Sequence, residues 1–509
     1  MLLNAFVIGL IAVFGRLDSR MLGRLNFERP LITCTLVGLF LGDLKTGLAV
    51  GASMEMVSLG FMSIGASGFD MNMGSIVGCA IVIMTESDIS TALAIATPMT
   101  LLSTLIETGA DVLRISMTHM IDNCVEAGNF KRAKTIDIVW GPVLYSICYF
   151  IPVFIAVYFG ADLINVINDF IPEFVLNGVT LGANLVAFFG FAMLLSVIIN
   201  KKNAIFFFFG FAIAAYSGLS LTGIAIIAII LAVILYQLKY TNNTNVQTAD
   251  GTIDELDELY KEDYRMSKQG LEAQRNYPLR KKCKEFFWGG WCMQTLWNYE
   301  RQMNTAFMWG ISKTLDRLYP NPEDLEKKKE RYKAALEFFN ITPQCGAFIL
   351  GLTAAMEEEY AENPDTFNPE MITNVKTALM GPLSGIGDSL FQGTVRIIAM
   401  SIGISLAQKG SILGPIIAIL ISFAVSFPIT WFGGKLGYVK GQEVIRQISE
   451  SNLMDKVMYG CSIAGLIVVG GMCATLVNIT TPIVYNETLV LQDVLNGIMP
   501  CLIPLCLTG

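Results

Sequence analysis

The sequence predicts an all-α integral membrane protein: two helical membrane halves with broken or re-entrant helices, and a polar helical segment between them. Three observations carry this. Apolar residues make up 53% of the chain, charged residues only 15%, and the mean hydropathy is +0.55. Apolar runs recur on both sides of a polar stretch near 240–340. Several runs are short and interrupted by glycine and charge. A soluble chain carries about 25% charged residues, and a surface this poor in charge would expose large apolar patches.

A membrane helix needs about 20 apolar residues. Stretches of that kind fall near 74–105, 139–168, 174–199 and 203–238, with shorter pieces at 2–14, 31–42 and 48–68. In the second half they fall near 344–356, 377–384, 397–432, 458–478 and 489–507. The amino terminus lacks a basic region before its apolar run and a small-residue cleavage site, so it reads as a retained segment. Residues 1–240 form one membrane domain and 241–280 a polar linker. Residues 281–509 form a second domain, amphipathic or soluble to about 340 and membrane-embedded beyond. Arg16, Arg20, Arg24 and Arg29, and the lysines at 201–202 and 281–284, serve as orientation signals that place the linker in the cytoplasm.

The net charge of -8 and the lack of a basic face exclude a nucleic-acid partner. The eleven cysteines show no CxxC spacing and read as small apolar packing residues. The single histidine, His119, reads as a loop or helix-end residue. It leaves no histidine metal site or Ser–His–Asp triad. Neither a metal nor a cofactor is expected.

Three clusters can carry chemistry. In RPLITCTLVGLFLGDLKTGLAVGASMEMVSLG, Asp43, Lys45 and Glu55 interrupt an apolar, glycine-rich region. Intramembrane charge must face protein or water, and a charged break between short apolar pieces points to a solute site. A turn at the membrane surface is the other reading for Asp43 and Lys45. In QTLWNYERQMN, Trp297, Asn298, Glu300 and Arg301 offer the planar polar groups and aromatic face that bind sugars. An interfacial helix anchored by its tryptophan is the other reading. In LMGPLSGIGDSLFQGTVRII, glycines surround Asp388, with Arg396 eight residues on. No nucleotide P-loop is present, and a glycine-broken helix near the bilayer fits. Glu357 to Glu359 read as a charged helix end.

The first cluster resembles the IIC subunit of mannose-family phosphotransferase system permeases. The segments WNYERQM, LEFFNITP, ILGLTAAMEEE, LMGPLSGIGDSLFQGT and GSILGP resemble the IID subunit. The resemblance spans about 1–238 and 281–509. It differs from the family in the fusion itself, at Gln392, where the IID pattern has Trp, and at Ile397, where it has Pro. The IID pattern also continues past Gly509 into a further apolar stretch.

The resemblance implies a multi-pass protein of the bacterial cytoplasmic membrane. It implies a homotrimer of IIC–IID units, cytoplasmic IIA and IIB phosphocarrier partners, and uptake of a hexose or amino sugar phosphorylated as it enters. The class is mannose, glucose, fructose, sorbose or N-acetylgalactosamine. No phosphorylated histidine or cysteine of this chain is expected. The expected substrate contacts are Asp43, Lys45, Glu55, Trp297, Asn298, Glu300, Arg301, Asp388 and Arg396, with Glu55 as proton acceptor. The cytoplasmic loops and 240–340 are the expected IIB docking surface. An ion-coupled secondary sugar transporter is the alternative, and a non-transporting receptor a more distant one.

Overall fold

The computed structural model describes residues 1–60, 71–170, 203–217, 219, 221–241, 269–364, 367–450, 453–476, 484–485 and 489–490. The expected apolar segment at 174–199, residues 242–268 of the linker and nearly all of 489–507 lie outside the described residues. Among the described residues the protein is helical apart from one short antiparallel pair, Val484–Tyr485 with Leu489–Val490. Five stretches are long and apolar enough to cross a membrane: Leu2–Met21, Ile89–Glu126, Phe130–Gly160, Leu383–Ala407 and Leu413–Lys440.

Helix α1 spans Leu2–Met21 and leads through a loop into a short helical hairpin, α2 (Pro30–Leu41) and α3 (Leu44–Gly60). Pro30 sits in the first turn, where its missing N–H costs nothing, and Gly42 ends the helix at φ +86°. At 1.5 Å per residue α2 is about 18 Å long, short of the ~30 Å hydrocarbon core. The arms touch backbone to backbone: a Cβ on Gly47 would meet the Cys34 carbonyl at 2.7 Å and the Gly38 Cα at 2.7 Å.

A second hairpin follows, α4 (Asn72–Thr85) and α5 (Ile89–Glu126), again closed on glycine. Gly74 lies under the Ala96 carbonyl and Gly78 under that of Ala92. The single apolar stretch expected at 74–105 is therefore two helices, broken at Glu86–Asp88. Helix α6 (Phe130–Thr135) passes through a π-helical turn into α7 (Gly141–Phe170), and α8 (Ala204–Ser217) and α9 (Leu221–Thr241) complete the first part.

The second part opens with α10 (Gln269–Arg275), α11 (Leu279–Trp291), α12 (Asn304–Leu318) and α13 (Leu325–Ala335). Next come α14 (Pro343–Glu362) and α15 (Glu370–Gly387), which runs through a π-helical stretch, Asp388–Val395, into α16 (Arg396–Ala407). Helices α17 (Leu413–Glu450) and α18 (Leu453–Leu476) follow, so the expected 397–432 segment is also two helices.

The two parts share one core. Phe207, Phe211 and Ile224 of the first pack with Ile397, Ile404 and Ile467 of the second. Gly210 and Gly470 form the seam, where a Cβ would reach the Ile467 carbonyl at 2.0 Å and the Phe207 carbonyl at 2.1 Å. Cys34, Cys79, Cys148 and Cys473 are free thiols. The acidic run after α14's apolar stretch is not all solvated. Glu357 is buried against Arg331, and Glu358 accepts from Tyr438 and Lys282.

Candidate substrate site

Where the two parts meet lies a cavity of about 420 Å³, within the usual ~300–1,000 Å³ range of small-molecule sites. Its first wall comes from α1 and the loop after it. Arg16 and Arg20 lie one turn apart on α1, and Arg24 and Asn26 hold left-handed backbone angles of 57° and 73° in the loop. The second part clamps this loop. Gln344 Nε2 donates to the Gly23 carbonyl at 3.1 Å. The Gly23 Cα faces the Trp291 ring so closely that a Cβ would stand 2.6 Å away. Arg396 Nε donates to Asn26 Oδ1 at 3.0 Å, and Asn26 Nδ2 donates to Ser422 Oγ at 2.9 Å.

The charges fall into two groups. At one end, Arg16 donates to Glu107 at 2.7 Å, while Arg114 bonds Glu107 at 3.0 Å and pairs with Asp111. The Arg16, Arg20 and Arg114 guanidiniums gather on the Tyr145 ring at 5.3, 4.3 and 4.7 Å. At the other end, Arg24 faces Glu28 at 3.6 Å, and Arg29 Nη2 lies 2.6 Å from Glu55. The second part adds amides, an indole and hydroxyls: Gln294, Trp297, Gln302, Asn340 and Thr342. Asp388 opens the π-helical stretch and accepts from Thr342 Oγ1 at 2.8 Å. Such wide turns interrupt α-helices frequently at functional sites.

Of the expected contacts, Trp297, Asp388 and Arg396 line the cavity. Glu55 stands one layer behind. It is fully buried, its Oε1 is taken by Arg29, and its Oε2 accepts from the Leu31 N–H at 3.2 Å. Asp43 and Lys45 sit at the tip of the α2–α3 hairpin, off the cavity. Asp43 Oδ1 accepts from the Thr46 N–H at 3.0 Å, capping α3, and Lys45 is exposed. Asn298 is a loop brace, accepting from the Arg301 N–H at 2.8 Å and donating to Asn304. Arg301 pairs with Asp122 of α5. Glu300 lies 3.1 Å from His119 Nε2, so that histidine, near the end of α5, bridges the two parts.

The arginines Arg16, Arg20, Arg24 and Arg29 also line the cavity, as do Glu107, Asp111 and Arg114. The signal was present in the fourfold spacing of Arg16, Arg20 and Arg24, and in three charges on one face of a 38-residue apolar helix.

Residues 279–509 match the family described as PTS system mannose/fructose/sorbose family IID component, and residues 2–234 the one described as PTS system sorbose-specific IIC component. The mannose-specific EIID component of Escherichia coli K12 is 34% identical over 224 residues, covering 42% of this chain and 78% of that protein. The sorbose-specific EIID component of Klebsiella pneumoniae is 35% identical over 224 residues, covering 42% and 80%. The mannose-specific EIIC component of E. coli K12 is 30% identical over 236 residues, covering 46% and 87%. The chain therefore belongs to the mannose/fructose/sorbose family of the phosphotransferase system, as a multi-pass sugar permease component with IIC and IID parts in one polypeptide.

Proposed function

We propose that this protein carries a hexose or amino sugar across the bacterial cytoplasmic membrane and presents it for phosphorylation by a IIB partner, itself charged by IIA. The observation that carries the reading is the cavity between the IIC and IID parts, walled by amides, hydroxyls, guanidiniums and one indole. Those groups bind polyols: planar donors fork onto adjacent hydroxyls, and an aromatic face takes the C–H side.

In this reading Trp297, Gln294, Gln302 and Asn340 grip the sugar, and Asp388 stands beside the hydroxyl that reacts. The hydroxyl oxygen attacks the phosphorus of the partner's phosphohistidine. The P–N bond breaks as the P–O bond forms, and the proton passes to the Asp388 carboxylate. Asp388 suits this role better than Glu55, whose oxygens are already held by Arg29 and Leu31. Positioning dominates such transfers, so this chain needs no phosphorylated residue of its own. Glu55 serves by holding Arg29. Three such chains form the working unit, and the 279–340 region with the adjoining loops docks IIB.

The test is the chemical state of the accumulated solute in membrane vesicles. Sugar phosphate formed only with phosphoenolpyruvate and the soluble partners supports group translocation. Free sugar driven by a proton or sodium gradient overturns it.

A further inference from the structure

Arg396 is 4% exposed and lines the cavity, yet its Nη2 has no hydrogen-bond partner. Its Nε is fixed on Asn26, so the guanidinium is aimed and half-used. Among the described residues no carboxylate lies within ion-pair distance of it. The charges that act on it most strongly are Arg29, Arg24, Glu28 and Glu55. Glu55 is taken up by Arg29 and Glu28 by Arg24. Among the described residues Arg396, the more deeply buried of Arg29 and Arg396, thus has no ion-pair partner of its own. A buried, unpaired cation is costly unless something neutralises it. A neutral sugar hydroxyl accepts a hydrogen bond but brings no charge. A phosphoryl group brings about two negative charges and three oxygens, which a guanidinium fork meets bidentately.

We propose that the Arg24–Arg29–Arg396 end of the cavity is an oxyanion site that holds the phosphoryl group as it passes to the sugar and the phosphate of the product afterwards. This rests on the reading of the cavity as the sugar site and adds a second subsite to it. Asp388, eight residues before Arg396 along the π-helical stretch, lies on the same wall. The sugar is then held between a carboxylate that receives its proton and a guanidinium that receives its new charge. Arg20, in the other group, stacks on Tyr145 at 4.3 Å.

The test is calorimetric titration of the full chain in nanodiscs with three probes: the transported hexose, its phosphate ester and inorganic phosphate. The phosphate ester should bind at least about tenfold more tightly than the hexose, the scale of one charge-assisted bond, and inorganic phosphate should compete with it. In Arg396→Gln the ratio of ester to hexose affinity should fall about tenfold, and Arg396→Lys should recover most of it. Arg24→Gln should lower the ratio in the same direction and leaves the Arg396–Asn26 bond in place, should Arg396→Gln prove unstable. Hexose binding without preference for the ester, or a ratio unmoved in both glutamine variants, overturns the oxyanion site and leaves the sugar site standing. An ester that binds tightly but does not compete with inorganic phosphate locates the contact on the sugar and overturns the site as well. Binding of neither sugar nor ester removes the reading of the cavity itself.

Discussion

Arg396 of the IID-like part donates through Nε to Asn26 Oδ1 of the IIC-like part at 3.0 Å, and Asn26 in turn donates to Ser422. One amide on a left-handed loop position thus ties the loop after α1 to two helices of the other part. Asn26→Ala should remove both bonds and place a Cβ-bearing residue without local side-chain support at φ 73°. The expected loss is about 2–4 kcal/mol, from an orphaned buried guanidinium N–H and left-handed strain. Asn26→Gly removes only the bonds and should lose less. Thermal melting of the three proteins in detergent measures the difference.

Arg301 looked in the sequence like a sugar contact, and its partner is Asp122. Arg301→Ala and Asp122→Ala should each lower stability while hexose affinity stays close to that of the parent. A double-mutant cycle should return a coupling of about 0.5–3 kcal/mol. A zero coupling, or a selective loss of hexose binding, would restore Arg301 to the site.

Arg331 and Glu357 are each 3% exposed and joined by three hydrogen bonds of 2.8–3.1 Å. Glu357→Gln leaves the guanidinium buried and underpaired, and should cost about 3–5 kcal/mol. Chemical unfolding of the variant checks this. A change under 1 kcal/mol, by the median of exposed pairs, would mean that water reaches the pair.

Lys376 lies on α15 outside the membrane spans, with Nζ on the Ala334 carbonyl at 3.0 Å. Burial pushes its ammonium down from 10.5 to about 8, against the raising influence of Glu337 and Glu357. The unfolded chain therefore keeps a proton between pH 8 and 10.5 that the folded chain has lost. Stability from this group rises with pH across that window, is complete above it and absent below it, by at most about 3 kcal/mol. Lys376→Met should flatten that rise in the difference between melting curves at pH 7.5 and 10. An equal slope in both proteins would place the amine in contact with water.

Much of the architecture was legible. Length and apolarity marked most helices, and glycine with charge marked the regions that pack closely. What was not legible has physical causes. Helix α1 looked like a short segment at 2–14 because charge begins at Arg16, yet the helix runs to Met21 because the cavity and Tyr145 accommodate those charges. The 74–105 stretch looked continuous because Glu86, Ser87 and Asp88 are only three polar residues between long apolar arms, and a hairpin needs no more than that. Trp297 and Arg301 look equivalent on a helical wheel. The segment is instead a bridged loop, Asn298 pairing with Gln302, which turns the indole to the cavity and the guanidinium to α5. Pairings across 91 residues, such as Arg16 with Glu107, leave no trace in local pattern.

The most direct test of the central claim is an experimental density of the full chain with its hexose bound. The sugar should lie between Trp297 and Asp388, within hydrogen-bond reach of Asp388 and Gln294, with its ring against the indole. A sugar seated at the α2–α3 hairpin tip beside Asp43 and Lys45, or anywhere outside the cavity between the IIC and IID parts, would contradict the account.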